Sequence, residues 1–133
     1  MTNQLSQIKW GRALLTGVVV YVLSFLLIFL IVSTYAMVLG IQARGAPDQT
    51  MIQAFANRYA PWIGPASLVL FTFLGANWLA RRIDAASQLH GLVVGILVGA
   101  INLILAGFGI PDLIATVLIV AAGWLGGNLA ARH

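Results

Sequence analysis

The chain has no cysteine and no glutamate, and its acids are limited to Asp48, Asp84 and Asp112 among 133 residues. Without thiols there are no disulfides, thiolate metal sites, iron–sulfur clusters or cysteine nucleophiles. Two histidines, His90 and His133, and three scattered aspartates make no metal-binding set. There is no GxSxG elbow, no phosphate-binding Walker loop and no HExxH pair, so neither enzyme chemistry nor a cofactor is expected. Charge of either sign is scarce: 8% of residues are charged, and the bases are Lys9 and arginines 12, 44, 58, 81, 82 and 132. They stand at the ends of apolar runs and form no stripe, so the net charge of +4 does not read as a nucleic-acid footprint.

What the chain has in excess is apolar surface. Hydrophobic residues make up 61% of the sequence, more than a domain of this size can hide from water, and lipid is the solvent that accommodates it. Residues 13–43 carry no charge; as a helix they would extend about 46 Å, past the roughly 30 Å hydrocarbon core. The composition therefore predicts an all-α polytopic membrane protein, a single transmembrane domain over residues 1–133. Its four helices are placed at about 11–40, 61–80, 88–109 and 111–131. The polar residues 1–9 followed by so long an apolar run predict an uncleaved first span.

Residues 41–60 form the longest polar connection. Pro47 and Asp48 resemble a helix start, and Met51, Ile52, Phe55 and Tyr59 recur at helical spacing, which predicts a short amphipathic helix in this first loop. Trp62 and Trp78 sit near the two ends of the second span, as an aromatic belt requires. Four spans place the amino terminus, the second connection and the carboxyl terminus on one side. That side carries Lys9, Arg12, Arg81, Arg82 and Arg132, against Arg44 and Arg58 on the other. The positive-inside rule then puts both termini in the cytoplasm.

An ungapped internal repeat relates LGANWLARR at 74–82 to LGGNLAARH at 125–133. Nearly the same offset relates Pro61 to Pro111, so two helical hairpins with a parallel pseudo-twofold relation are expected. In the third span Gly91, Gly95 and Gly99 fall four residues apart. In the fourth, Ala122 with Gly126 and Gly123 with Gly127 repeat the spacing, and such glycine faces let backbones come close. They serve either helix packing within the chain or an interface with another subunit or a second copy. Asn77, Asn102 and Asn128 lie within spans, where an amide needs a protein partner because lipid offers none; they act as interhelical glue or line a polar pathway. Asp112, next to Pro111 at the start of the fourth span, suits the positive end of the helix dipole or a cation site at the outer mouth. His90 reads as an interfacial residue at the start of the third span; the alternatives are a pH sensor or, with Arg81 and Arg82, a ligand for a lipid headgroup.

The segments WGRALLTG at 10–17, LHGLVVG at 89–95 and GWLGGNLAAR at 123–132 resemble those of a loose group of small bacterial four-span membrane proteins of unknown function. The resemblance implies a bacterial inner-membrane setting and supplies no site residues. Three functional readings follow. The first is a non-enzymatic accessory or scaffold subunit that packs against a larger membrane complex or itself. The second is a small oligomeric channel or transporter, with the asparagines along its path. The third is a lipid-interacting protein.

Overall fold

In lipid a backbone must satisfy its own polar groups, and the chain does so with four helices: α1 (Trp10–Ala43), α2 (Gln49–Ala80), α3 (Ser87–Ala106) and α4 (Ile110–Ala130). The computed structural model describes residues 9–83 and 87–131, and of Ser87 the backbone alone. Asp84, Arg132 and His133, named above as charge and repeat positions, lie outside the described residues. All four helices are long and apolar enough to cross a membrane, and no strand occurs among the described residues.

α3 and α4, of 20 and 21 residues, match the hydrocarbon core, whereas α1 and α2, of 34 and 32, are too long for it. The excess lies at one end. The amphipathic helix foreseen in the first loop is present, but as the opening turns of α2 and not as a separate element. Pro61 and Pro65, the first of which looked like a span start, are both inside α2. A proline removes one helical hydrogen bond and crowds the carbonyl four residues before it. Here the helix carries both, with Asp48 as its cap, whose carboxylate accepts the Thr50 N–H at 2.8 Å. Tyr35 of α1 stacks on Phe55 of α2 at 4.0 Å between centroids, and Tyr59 adds a third ring 4.7 Å from Phe55. The projecting ends are thus zipped into a helical hairpin.

α1 ends without a glycine in the left-handed position. The helix ends at Arg44, which adopts a left-handed conformation with φ 51°, while its N–H bonds Ile41 O and the Gly45 N–H bonds Gly40 O. That is a Schellman-type end with arginine in the place glycine usually takes. Between α3 and α4, Gly107 at φ +110° turns the chain and Gly109 caps α4.

The packing puts small residues inside and large ones outside. α1 buries Ala13, Thr16, Gly17, Val20 and Ser24, one stripe at helical spacing, while Leu15, Phe25 and Phe29 face outward. α4 likewise buries Ala115, Ile119, Ala122, Gly123, Gly126, Gly127 and Ala130. This is the pattern of a bundle held by close backbone approach, since burying apolar side chains gains little when the solvent is itself apolar. α3 and α4 form the most extensive pair, and α2 packs on both. α1 lies against α2 and α3 and, among the described residues, does not reach α4. The helix directions fit two hairpins: Gly75 of α2 meets Thr16 and Val20 of α1, Gly91 of α3 meets Gly123 of α4, and Gly126 of α4 meets Phe73 and Ala76 of α2. The pseudo-twofold relation does not extend to the contacts. Gly75 and Gly126 are equivalent in the repeat, yet Gly75 faces the helix of its own hairpin and Gly126 faces the other hairpin.

Candidate functional site

The glycine faces are spent inside the chain. A methyl placed on Gly91 would stand 2.5 Å from Gly123 O and 2.7 Å from Gly127 Cα, and one on Gly123 would stand 2.6 Å from Gly91 O. Gly95 abuts the Val120 backbone and Gly99 abuts Thr116. Gly126 rests on Phe73 O, where a methyl would come within 2.5 Å. Of the two roles open to these residues, packing between helices of one chain is the one their neighbours match.

The asparagines do not share a path. Asn102, buried on α3, donates from Nδ2 to Thr116 Oγ1 of α4 at 3.3 Å. Asn128 lies at the opposite end, where its Oδ1 accepts from Gln88 Nε2 at 2.6 Å and ties the end of α4 to the start of α3. Asn77 is half-buried at that same end, its backbone N against Gly126. Asn102 and Asn128 thus make bonds between helices, at opposite ends of the bundle.

At the end where the prolines lie, the four helices line a half-open cavity of about 360 Å³. Tyr21 and Ser24 of α1, Pro61 and Pro65 of α2, Asn102 of α3 and Asp112 of α4 are among its walls. Ser24 Oγ donates to Val20 O and Asn102 Nδ2 to Thr116, so the polar groups left among the walls are the Tyr21 hydroxyl, the Asn102 carbonyl oxygen and the Asp112 carboxylate. Asp112 sits in the first turn of α4, its Oδ2 curled toward Gly109, where the exposed N–H groups favour an anion. The cavity stops at an apolar floor. Along each helix toward the other end follow Val20, Leu68, Val94, Val98 and Ile119, all buried. Within this core Thr72 is fully buried and its Oγ1 has no hydrogen-bond partner. Nothing in the local sequence announced Thr72 or the Thr116 partner of Asn102, because both depend on which helices meet.

His90 requires a correction. It was grouped with Arg81 and Arg82 as a headgroup ligand, but it is fully buried, and its Nε2 accepts the Lys9 N–H at 3.1 Å. It therefore caps the start of α1, which has no side-chain cap of its own. Accepting that bond requires the neutral ring with an unprotonated Nε2. Arg81 and Arg82 are exposed at the same end, and Arg82 lays its guanidinium 4.4 Å from the centre of the Trp78 ring. Arg12 of α1 comes to the same place: Arg12, Trp78 and Arg82 line one cleft of about 290 Å³. In the sequence Arg12 stands out only as a base at the end of an apolar run. Among the described residues no group of three histidines or acids is close enough to hold a metal ion. No known protein family, curated protein or solved structure matches the chain.

Proposed function

We propose that the chain is a non-enzymatic accessory subunit of a bacterial inner membrane, with both termini cytoplasmic, that docks on a larger membrane complex or on a second copy of itself. What supports this reading is exposed apolar surface on the part of the α1–α2 hairpin that exceeds the length an upright helix needs to cross the hydrocarbon. With Arg12 at one edge of the hydrocarbon, the core ends near residue 33 of α1, so residues 34–43 and the start of α2 stand about 15 Å beyond it. Yet this projecting hairpin exposes Met37 (68%), Ile41 (67%) and Met51 (49%). Large apolar side chains displayed outside the bilayer mark a contact with another protein. The internal aromatic stack of Tyr35, Phe55 and Tyr59 presents them on a stiff support.

The absence of native cysteine makes the test direct. Ile41→Cys and Met37→Cys variants, treated in intact membranes with a thiol-to-amine cross-linker, are expected to yield a discrete adduct heavier than the monomer. Native mass spectrometry in mild detergent should show the same mass. A lone monomer under both treatments overturns the proposal.

The outer cavity favours a second reading, a small solute or cation carrier in which Asn102 and Asp112 hold the guest. Liposome flux that falls when Asn102 is changed to Leu supports it; absence of flux for ions and small solutes removes it.

A further inference from the structure

The geometry points to a binding site for one anionic phospholipid at the basic end of the α1–α2 groove, with the phosphate between Arg12 and Arg82 and one acyl chain lying along the groove. The cleft that holds the two arginines shares Leu15, Thr16 and Trp78 with a second, almost wholly apolar hollow of about 390 Å³ that continues along both helices to Leu23 and Phe71. Head and tail sites are thus one continuous surface. From Arg12 to Leu23 the groove runs about 16 Å along the helix axis, which matches the roughly 15 Å depth of one leaflet's hydrocarbon.

Three features fit this occupant. The first is charge: Arg12 and Arg82 face a common cleft. Guanidinium groups present planar pairs of N–H donors that suit phosphate oxygens. The second is the indole of Trp78, which supports the Arg82 guanidinium from one face and borders both the polar cleft and the apolar hollow. That is the place of an interfacial tryptophan between headgroup and chain. The third is the floor. Gly75 lets α1 and α2 approach so closely that a methyl there would meet Val20 Cγ2 at 2.8 Å and Thr16 Cγ2 at 3.2 Å. The larger side chains Leu15, Val19, Leu23 and Leu74 then stand as flanking ridges. Arg81, one residue away, does not line the cleft, so the site separates two arginines that the sequence treats alike.

The test uses the full chain in mild detergent or nanodiscs, with native mass spectrometry of bound phosphatidylglycerol and phosphatidylcholine that carry the same acyl chains. The unaltered protein is expected to retain phosphatidylglycerol with about a tenfold or greater preference, given two arginines near one phosphate. The double change Arg12→Gln and Arg82→Gln should abolish that preference, whereas Arg44→Gln with Arg58→Gln at the far end should leave it intact. Val19→Trp, which fills the groove without touching the arginines, should weaken retention of both lipids. Glycerol phosphate, which has the head chemistry and no tail, should fail to displace the lipid at equal concentration. Equal retention of the two lipids by the unaltered protein overturns the inference, and needs no variant to fold. So does an unchanged preference in the Arg12, Arg82 variant, or displacement by glycerol phosphate. The Ile41 and Met37 cross-linking result is independent of all these outcomes.

Discussion

The α3–α4 crossing offers the sharpest test of what holds the bundle together. Gly91→Ala places a methyl 2.5 Å from Gly123 O, 2.7 Å from Gly127 Cα and 2.8 Å from Gly127 N. All three are backbone atoms, so no side chain can swing aside. To restore contacts near the ~3.5 Å optimum the helices must part by roughly 1 Å, which forfeits a quarter to a half of each neighbouring contact along the seam. Overpacking of this kind costs about 1–3 kcal/mol, against which alanine's better helix propensity returns up to about 1 kcal/mol. A net loss of about 1–2 kcal/mol is expected. Gly17→Ala is the matched control: it is also inside a helix, but its methyl would meet Val98 Cγ2 at 3.7 Å and Leu97 Cβ at 3.9 Å, ordinary contacts. Propensity alone then acts, and the variant should gain up to about 1 kcal/mol. Equilibrium unfolding in bicelles, titrated with SDS and followed by circular dichroism, measures both. If Gly91→Ala proves as stable as Gly17→Ala, the backbone contact described for α3 and α4 is wrong.

Two further substitutions read the interior and the projecting hairpin in the same assay. Thr72→Val keeps the shape of a fully buried residue and removes a hydroxyl that has no partner; a stability gain of about 1 kcal/mol is expected from the desolvation it relieves, and a loss would show that the hydroxyl is bonded in the membrane. Arg44→Gly relieves a left-handed residue at φ 51° and should stabilise the chain by about 1 kcal/mol, with a change of the opposite sign refuting the end assigned to α1.

Much of this architecture is legible from local pattern. The spans follow from uninterrupted apolar runs, and the glycine seam of α3 follows from a four-residue period that puts Gly91, Gly95 and Gly99 on one face. Other features need contacts between distant parts of the chain. A proline that starts a helix and one tolerated inside it look alike in sequence, so Pro61 suggested a boundary where α2 in fact runs through. His90 reads as interfacial because it stands at the start of the third span. It is fully buried, and Lys9, 81 positions earlier, comes within hydrogen-bond distance of it. Arg12 and Arg82 are separated by 70 positions (82 less 12) and become a pair only when α1 lies antiparallel to α2. The repeat at 74–82 and 125–133 shows the opposite failure. Its matching residues are real, but Gly75 meets α1 and Gly126 meets α2, and among the described residues α1 packs on α3 without a close backbone approach to α4.

That missing contact also separates the two functional readings. α4 is fixed to α3 through Gly91, Gly95 and Gly123 and to α2 through Gly126, all by backbone approach, whereas α1 is held on one side by small residues. Any guest in the outer cavity must cross the floor of Val20, Leu68, Val94, Val98 and Ile119 to reach the basic end, and α1 is the wall least fastened against such an opening. A lock can be built there. A Cβ at Gly17 stands 3.9 Å from Leu97 Cβ, within the span a disulfide bridges, so Gly17→Cys with Leu97→Cys in this cysteine-free chain should oxidise readily and tie α1 to α3. Failure of the bond to form under mild oxidant contradicts the α1–α3 packing itself. Once formed, it should stop any flux that depends on α1 moving and restore it on reduction, while leaving the cross-linked adducts of Ile41→Cys unaffected when these are captured separately. A carrier predicts reversible arrest, an accessory subunit predicts no flux to arrest, and flux that persists through the locked state excludes transport by parting α1 from the bundle.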